Sequence, residues 1–206
     1  MIKNSEKIFK DFEHGLTPSW QAGGVVHHLR GVGDAAGKIA VALGVNPDFS
    51  KKIGLLHDIK LPQQADAGRS HALLGFDYFK KYDYRLAKVV ARHMTPIDLD
   101  FWRMHENHIF KNVLFSRTAD YERIYNMIRN NDITDLDLIQ HVADFVVVSE
   151  EKGYRFSTME ARRDEMLARG RDPYDAGLKL VLKEKLDTRI RKRGGGGVYE
   201  VLGISK

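Results

Sequence analysis

Apolar side chains recur along most of the chain at the three- and four-residue spacing that is typical of amphipathic α-helices. The longest such stretch runs from Trp20 to Leu43, and Gly44 and Pro47 end it. The same spacing predicts further helices over residues 5–14, 48–58, 70–81, 86–93, 98–130, 136–147 and 158–193. The sequence contains no internal repeat and no alternation of strand and helix patterns. We therefore predict an all-α fold.

The C-terminal part of the chain differs in character from the rest. Its amphipathic pattern ends in a basic run over residues 189–193. Four glycines that follow this run are expected to form a flexible link, and residues 198–202 to form a short strand or a docking tail. We expect a domain over residues 1–156, followed by a helical extension with a basic run and a glycine-linked tail over residues 157–206.

The composition narrows the classes of protein and of site. The chain of 206 residues is 43% hydrophobic and 30% charged, as in ordinary folded domains. It has no cysteine, which excludes disulfides and thiolate metal sites and fits a cytoplasmic setting. No apolar run reaches the roughly 20 residues of a membrane span, and the first residues lack the apolar core of a signal peptide. A net charge of +5 suits a phosphate-bearing substrate.

The longest predicted helix contains several glycines, among them Gly31, Gly33 and Gly37. Their spacing is not that of a dinucleotide-binding loop, and no strand pattern precedes them. We predict that they permit either close helix packing or the close approach of a ligand.

Several potential metal ligands lie on apolar helix faces or at buried helix ends. His57 and Asp58 directly follow the apolar residues Leu55 and Leu56. A buried carboxylate beside a buried imidazole is costly unless both are compensated, and a divalent cation would compensate both. One such pair is more often a helix cap, but six residues on five segments indicate a common centre. The six are His28, His57, Asp58, His71, His93 and Asp144.

The order of these residues resembles the HD superfamily of metal-dependent phosphohydrolases. The resemblance rests on His28, the doublet His57-Asp58 and Asp144, with matching flanks over roughly residues 25–150. The neighbouring His27 is a competing first ligand, and the family pattern selects His28. His71 and His93 resemble the additional histidines of the two-metal members.

The resemblance implies a helical bundle around a buried metal site. It implies one or two divalent transition-metal ions, such as Mn, Fe, Co, Ni or Zn. The implied reaction is hydrolysis of a phosphate ester or anhydride by a metal-activated water. The resemblance does not identify the substrate, and our leading prediction is a nucleotide or related small molecule. The main alternative is a phosphodiesterase acting on nucleic acid, to which the basic segment over residues 183–193 points. A further alternative is a non-catalytic, metal-containing nucleotide sensor.

The resemblance also implies roles for individual residues. Asp58 would bridge two ions and receive the proton of the nucleophile. Lys60, which directly follows Ile59 where many relatives have glycine and then lysine, is the predicted catalytic cation. Lys60, Arg69 and Arg92 are the predicted substrate-binding residues, because a cation stabilises charge on a phosphate; otherwise each is a solvated surface charge.

Three further histidines are predicted to lie outside the metal site. His105 and His108 share one helix face, which is expected to be exposed, although they could instead line the substrate pocket. His141, three residues before Asp144, is expected at the surface, with a supporting position beside Asp144 as the alternative. The number of subunits is left open, including a homo-oligomer.

Overall fold

Helices make up most of the chain in its computed structural model, which describes residues 5–22, 24–67, 69–93, 123, 126, 133–150, 152–168 and 173–205. Numbered among these residues, the helices are α1 (Ser5–Gly15), α2 (Pro18–Ala22), α3 (Val25–Leu43), α4 (Pro47–Leu56), α5 (Gln64–Ala67), α6 (His71–Phe79), α7 (Tyr84–Arg92), α8 (Asp135–Val146), α9 (Met159–Ala168), α10 (Pro173–Arg191) and α11 (Val198–Leu202). The predicted all-α class is confirmed. His105, His108 and most of the helix predicted over 98–130 lie outside the described residues.

One short antiparallel hairpin interrupts the helices. It consists of β1 (Val147–Glu150) and β2 (Gly153–Phe156), with Val147 opposite Phe156. The hydrophobic pattern did not predict it, because strands of four residues are too short to show a clear alternation. β1 follows α8 without a gap, so the hairpin lies beside the helix that carries Asp144.

The longest helix begins later than its pattern predicts. Gly24 has a φ of +73°, in the left-handed region, and separates α2 from α3. The helix predicted from Trp20 therefore starts at Val25. At the other end Gly44, with a φ of +63°, ends α3 as predicted.

The tight packing of α3 against α4 fixes the position of the His57-Asp58 doublet. A Cβ atom added at Gly54 would lie 2.7 Å from the Cα and N atoms of Gly33, so the two backbones are in contact. At Gly31, an added Cβ would lie 2.6 Å from a methyl group of Val147 in the hairpin. Gly31 and Gly33 therefore allow close packing, one of the two predicted roles.

The C-terminal helices share the core of α3 and α8. One cluster of buried side chains includes residues of α3 such as Ala36 and Ile39 together with C-terminal residues. The C-terminal members are Met159, Leu182, Leu186, Ile190, Val198, Tyr199 and Leu202. The division of the chain at residue 156 stays a prediction about its organisation, and it does not coincide with a break in this cluster.

The glycine-linked tail is a helix that packs against the rest of the chain. Residues 198–202 form α11, so the predicted strand is wrong. Asp187 accepts a hydrogen bond from the Val198 backbone at 2.6 Å, and the Tyr199 hydroxyl accepts one from the Met159 backbone at 2.7 Å. Side-chain and backbone hydrogen bonds thus join the tail to α9 and α10 across the four glycines.

Among the described residues, no helix combines the length and the apolar character needed to cross a bilayer.

The contact between α3 and α4 predicts opposite effects for two glycine substitutions. Gly54→Ala should lower the free energy of unfolding by about 1–3 kcal/mol, because the new methyl group overlaps the backbone of α3. Gly37→Ala is the matched control within α3, where an added Cβ meets nothing closer than 3.7 Å. It should raise stability by up to about 1 kcal/mol by restricting the unfolded chain. Urea unfolding followed by circular dichroism measures both values, and equal effects would contradict the proposed contact.

Candidate metal centre

The six potential ligands predicted from the sequence meet at one place. Each is positioned by a different element or turn, except for the adjacent pair His57 and Asp58. In chain order they lie in the first half of α3 (His28), directly after α4 (His57 and Asp58), at the first residue of α6 (His71), directly after α7 (His93) and near the end of α8 (Asp144).

Two carboxylates organise the imidazoles around them. Asp144 Oδ1 lies 3.0 Å from His28 Nε2 and 3.6 Å from His57 Nε2. Asp58 Oδ1 lies 3.0 Å from the Nε2 atoms of both His71 and His93. Asp58 Oδ2 is 3.5 Å from His57 Nε2, so His57 stands between the two carboxylates.

The described residues contain two overlapping groups that could each hold a metal ion. One group is His28, His57 and Asp144, and the other is His57, Asp58 and His93. Within each group the ligand atoms all lie within 4.8 Å of one another. His71 adjoins the second group, with its Nε2 3.3 Å from His93 Nε2.

Two of the imidazoles are oriented by the ends of the helices that precede them. His57 and His93 each follow the last residue of a helix, where backbone carbonyls lack partners within the helix. His57 Nδ1 donates to the Gly54 carbonyl at 2.8 Å, and His93 Nδ1 donates to the Val90 carbonyl at 2.6 Å. Because a carbonyl can only accept, the proton is assigned to Nδ1, and the Nε2 lone pair points into the centre.

A third imidazole is oriented by a side chain that sequence reasoning missed. Gln64 Oε1 accepts from His71 Nδ1 at 2.5 Å and from the His71 backbone at 3.3 Å. Gln64 lies in the polar stretch after Pro62, and its composition gives no sign of a role at the site. Only the return of the chain through α5 into α6 brings the amide to the ring.

The arrangement fits a divalent cation. His57 Nε2 and Asp58 Oδ1 are buried without a hydrogen bond from any described residue, although both are surrounded by other polar atoms. An imidazole lone pair that faces a carboxylate at about 3 Å is repelled by it unless a positive charge, either a proton or a metal ion, lies between them. The imidazole nitrogens and carboxylate oxygens at this site therefore form a ligand set that fits a divalent metal ion.

The electrostatics of the centre favour a positive charge for the same reason. Burial acts to lower the pKa of His57, but the nearby carboxylates of Asp58 and Asp144 outweigh it and raise the pKa to about 9. Burial acts to raise the pKa values of both carboxyl groups. The charges of His57 on Asp58 and of Lys179 on Asp144 overcome it, so both pKa values are well below the usual range. The carboxylates are thus ionised, as metal ligation requires.

The face of α8 that reaches the centre is polar and buried. Asp137, Gln140 and His141 are each only 1% exposed, and with Asp144 they follow the spacing of one helix face. The predicted surface position of His141 is therefore wrong. Burial, followed by the charge of Lys179, holds the pKa of His141 well below its usual value.

The three cations predicted to bind substrate have other observed partners. Lys60 Nζ lies 4.3 Å from the centroid of the Tyr78 ring, and burial followed by the charge of Lys81 lowers its pKa. Arg69 donates to Asp77 at 3.3 Å. Their assignment to substrate stays a prediction.

Arg92, the third of these cations, is itself buried. It is 2% exposed and donates to Asp137 Oδ2 at 2.7 Å. The same oxygen accepts hydrogen bonds from the backbone and the hydroxyl of Thr134, which caps α8. The observed ion pair thus ties the end of α7 to the start of α8, and the predicted contact of Arg92 with substrate stays a prediction.

One cation at the centre was not predicted. Lys179 of α10 places its Nζ 3.4 Å from Asp144 Oδ2. It was missed because it belongs to the segment read as an extension, and nothing in its local sequence distinguishes it from the other lysines of that helix.

Comparison with known protein families identifies this arrangement. The family model of the HD domain matches residues 25–146, more than half of the chain. The chain belongs to the HD domain family. Membership implies binding of a divalent metal, and the two groups formed by His28, His57, Asp58, His93 and Asp144 could hold it.

Similar curated proteins cover only part of the chain. Ribonuclease Y of Treponema denticola is 33% identical over 76 residues, which are 36% of this chain and 15% of that protein. Ribonuclease Y of Clostridium botulinum strain Hall is 38% identical over 58 residues, which are 28% of this chain and 11% of that protein. Ribonuclease Y 1 of Pediococcus pentosaceus is 41% identical over 76 residues, again 36% and 15%. The match therefore spans no more than 15% of these relatives, and no solved structure matches the chain significantly.

The geometry predicts that His57 is required for metal binding. Protein with His57→Ala should be purified with little or no transition metal, because both candidate groups include this imidazole. His27→Ala is the matched control, since His27 lies beside His28 in the sequence but belongs to neither group found among the described residues. Elemental analysis gives the metal content of each protein. Equal metal content in wild type and His57→Ala would contradict the assignment.

The Arg92–Asp137 pair predicts a stability effect separate from any role in catalysis. Arg92→Met should lower the free energy of unfolding by about 3–5 kcal/mol, because it leaves Asp137 buried without its cationic partner. Arg85→Met is the control on the same helix, where an exposed guanidinium lies 4.4 Å from the Phe49 ring centroid; it should cost at most about 1 kcal/mol. Urea unfolding measures both. A small loss in Arg92→Met together with a raised Michaelis constant would instead support the predicted substrate contact.

Proposed function

We propose that this HD domain protein is a metal-dependent phosphohydrolase that hydrolyses a phosphate ester or anhydride of a nucleotide or a related small molecule. The observation that carries the proposal is the meeting of four imidazoles and two ionised carboxylates at one centre. Membership of the HD domain family, which implies binding of a divalent metal, supports it, as do the two groups of residues that could hold the ion.

We infer that the centre holds one or two ions among Mn, Fe, Co, Ni and Zn. His28, His57 and Asp144 would hold one ion, and Asp58, His71 and His93 would supply ligands for a second. When bound, such an ion supplies Lewis acidity toward a phosphoryl oxygen and lowers the pKa of water.

The six side chains differ in exposure, and the more exposed ones mark the side from which substrate would enter. The side chains of His57 and His93 are at most 1% exposed and that of His71 is 4% exposed. Those of Asp58, Asp144 and His28 are 14%, 19% and 21% exposed. Asp58 is therefore buried enough to hold its orientation and open enough to accept a proton from a nucleophilic water, as its proposed catalytic role requires. Lys60 remains our proposed catalytic cation, with Lys60, Arg69 and Arg92 facing the phosphate.

The contacts of the basic run favour a small substrate over a polymeric one. Arg189 donates to Asp135, and Arg193 donates to the Leu43 carbonyl at the end of α3. Lys183, earlier on the same helix, pairs with Asp187 at 2.8 Å. Cations with these intramolecular partners are less suited to bind the phosphates of a nucleic acid by releasing its counterions.

A second candidate is hydrolysis of a phosphodiester in RNA. The similarity to proteins named ribonuclease Y favours it, although the match covers a small part of those proteins. The same metal centre would serve either reaction, so the substrate is decided by surfaces around the site rather than by its ligands.

We further propose a cytoplasmic setting, on the lack of cysteine. We also propose that residues 157–206 act as an extension of the HD domain of residues 1–156.

The proposed function predicts a strong effect of one substitution at the centre. Asp58→Asn should lower phosphate release from the best small nucleotide by about 10²–10⁴-fold, because it removes a proton acceptor and a metal ligand. Asp48→Asn, on the exposed first turn of α4, is the control and should retain wild-type activity. The assay compares mononucleotides, dinucleotides and short RNA oligonucleotides with metal added to each protein.

The same panel separates the two candidates. Faster cleavage of RNA than of every small nucleotide would replace the leading proposal by the second. No hydrolysis of either class by metal-loaded wild type would contradict both and favour the non-catalytic sensor.

A further inference from the structure

The C-terminal extension contributes a side chain to the metal centre. The HD family match ends at residue 146, whereas Lys179 lies in α10, in the extension. Leu182 and Leu186, on the following turns of α10, are fully buried in the core shared with α3 and α8. The backbone that carries Lys179 is therefore fixed by packing, and the ammonium is brought to the centre by the fold rather than by chance.

The Lys179 ammonium is not a surface charge. Its side chain is 8% exposed, and burial of an ammonium is costly unless another group compensates it. Asp144 Oδ2 lies 3.4 Å away, and the centroid of the Phe145 ring lies 5.3 Å away. The compensating carboxylate is thus one of the candidate metal ligands.

The two oxygens of Asp144 have different partners. Oδ1 lies 3.0 Å from His28 Nε2, on the side where the ion would bind, and Oδ2 faces Lys179. A carboxylate held at one oxygen has less freedom to rotate, so its other oxygen stays directed at the site. We propose that Lys179 is a positioning residue, which holds Asp144 so that Oδ1 alone faces the metal.

Lys179 has two opposing effects on a bound cation. Its charge repels the ion, while its contact with Oδ2 fixes the ligand. Because the ammonium lies against an ionised carboxylate, much of its field at the ion is offset, and the orienting effect should dominate. The sign of the change in metal affinity on removing Lys179 therefore tests the proposal directly.

The next turn of α10 supplies a matched control. Lys183 lies four residues beyond Lys179, and its side chain is 7% exposed. It pairs with Asp187 at 2.8 Å and lies 4.5 Å from the Tyr199 ring centroid. Lys183 thus resembles Lys179 in burial and in having both a carboxylate and an aromatic partner, but its carboxylate is not a candidate ligand.

The experiment measures Co²⁺ binding to full-length, metal-free protein by visible absorption in competition with a chelator. Lys179→Met should raise the dissociation constant about 10–100-fold, the range observed when a residue that supports a metal ligand is removed. It should also change the absorption spectrum. Lys179→Arg should leave the dissociation constant and the absorption spectrum close to those of wild type, because it keeps a charged donor. Lys183→Met should lower the unfolding temperature but leave the dissociation constant and the spectrum as in wild type.

An unchanged or lower dissociation constant in Lys179→Met would overturn the proposal, as would an equal rise in Lys183→Met. Should Lys179→Met not fold, Lys179→Gln, whose side chain is one bond shorter than that of lysine, takes its place with the same expected result. The inference rests on the metal centre of the proposed function, but different results would refute the centre and the positioning role of Lys179. Wild-type protein without Co²⁺ affinity would refute the centre itself, whereas bound Co²⁺ that is insensitive to Lys179 would refute only the positioning role.

Discussion

The convergence of lone pairs from four imidazoles and two ionised carboxylates is the constraint on which the rest of this structure depends. His57 stands between Asp58 and Asp144, with its Nε2 3.5 and 3.6 Å from their oxygens. Such a cluster of acceptors is unstable in a buried place unless it encloses positive charge. A divalent ion would satisfy this requirement in either of the two groups, His28-His57-Asp144 or His57-Asp58-His93, whose ligand atoms lie within 4.8 Å of one another.

The helices around the centre are arranged to hold these side chains still. Gly33 and Gly54 let α3 and α4 touch, which brings His28 close to the doublet that follows α4. His57 and His93 each donate to a backbone carbonyl in the last turn of the preceding helix, which fixes the ring. The helix termini thus provide the hydrogen-bond acceptors that support the ligands, without additional side chains at those two positions.

The extension that follows the HD family match shares its hydrophobic core with the HD domain and contacts the candidate metal centre. Leu182, Leu186 and Ile190 are buried with Ile39 and Val142 in a single cluster. From this rigid position Lys179 reaches Asp144. The contact connects the extension to the candidate metal centre.

The sequence by itself determined the all-α class, most helix positions and the six potential ligands. Hydrophobic periodicity is a local property, so α4, α7 and α8 could be located within a few residues. His57, Asp58 and Asp144 were conspicuous because ionisable residues on apolar stripes need a partner.

Tertiary structure decided what depends on contacts between distant segments. Four features depend on segments that lie far apart in the chain, and no pattern in a single sequence links those segments. They are the contact of Gln64 with His71, the pairing of Arg92 with Asp137, the burial of His141 and the contact of Lys179 with Asp144. The hairpin and the break at Gly24 were missed for a related reason, because four-residue strands and a single left-handed glycine alter the chain direction without altering its hydrophobic pattern.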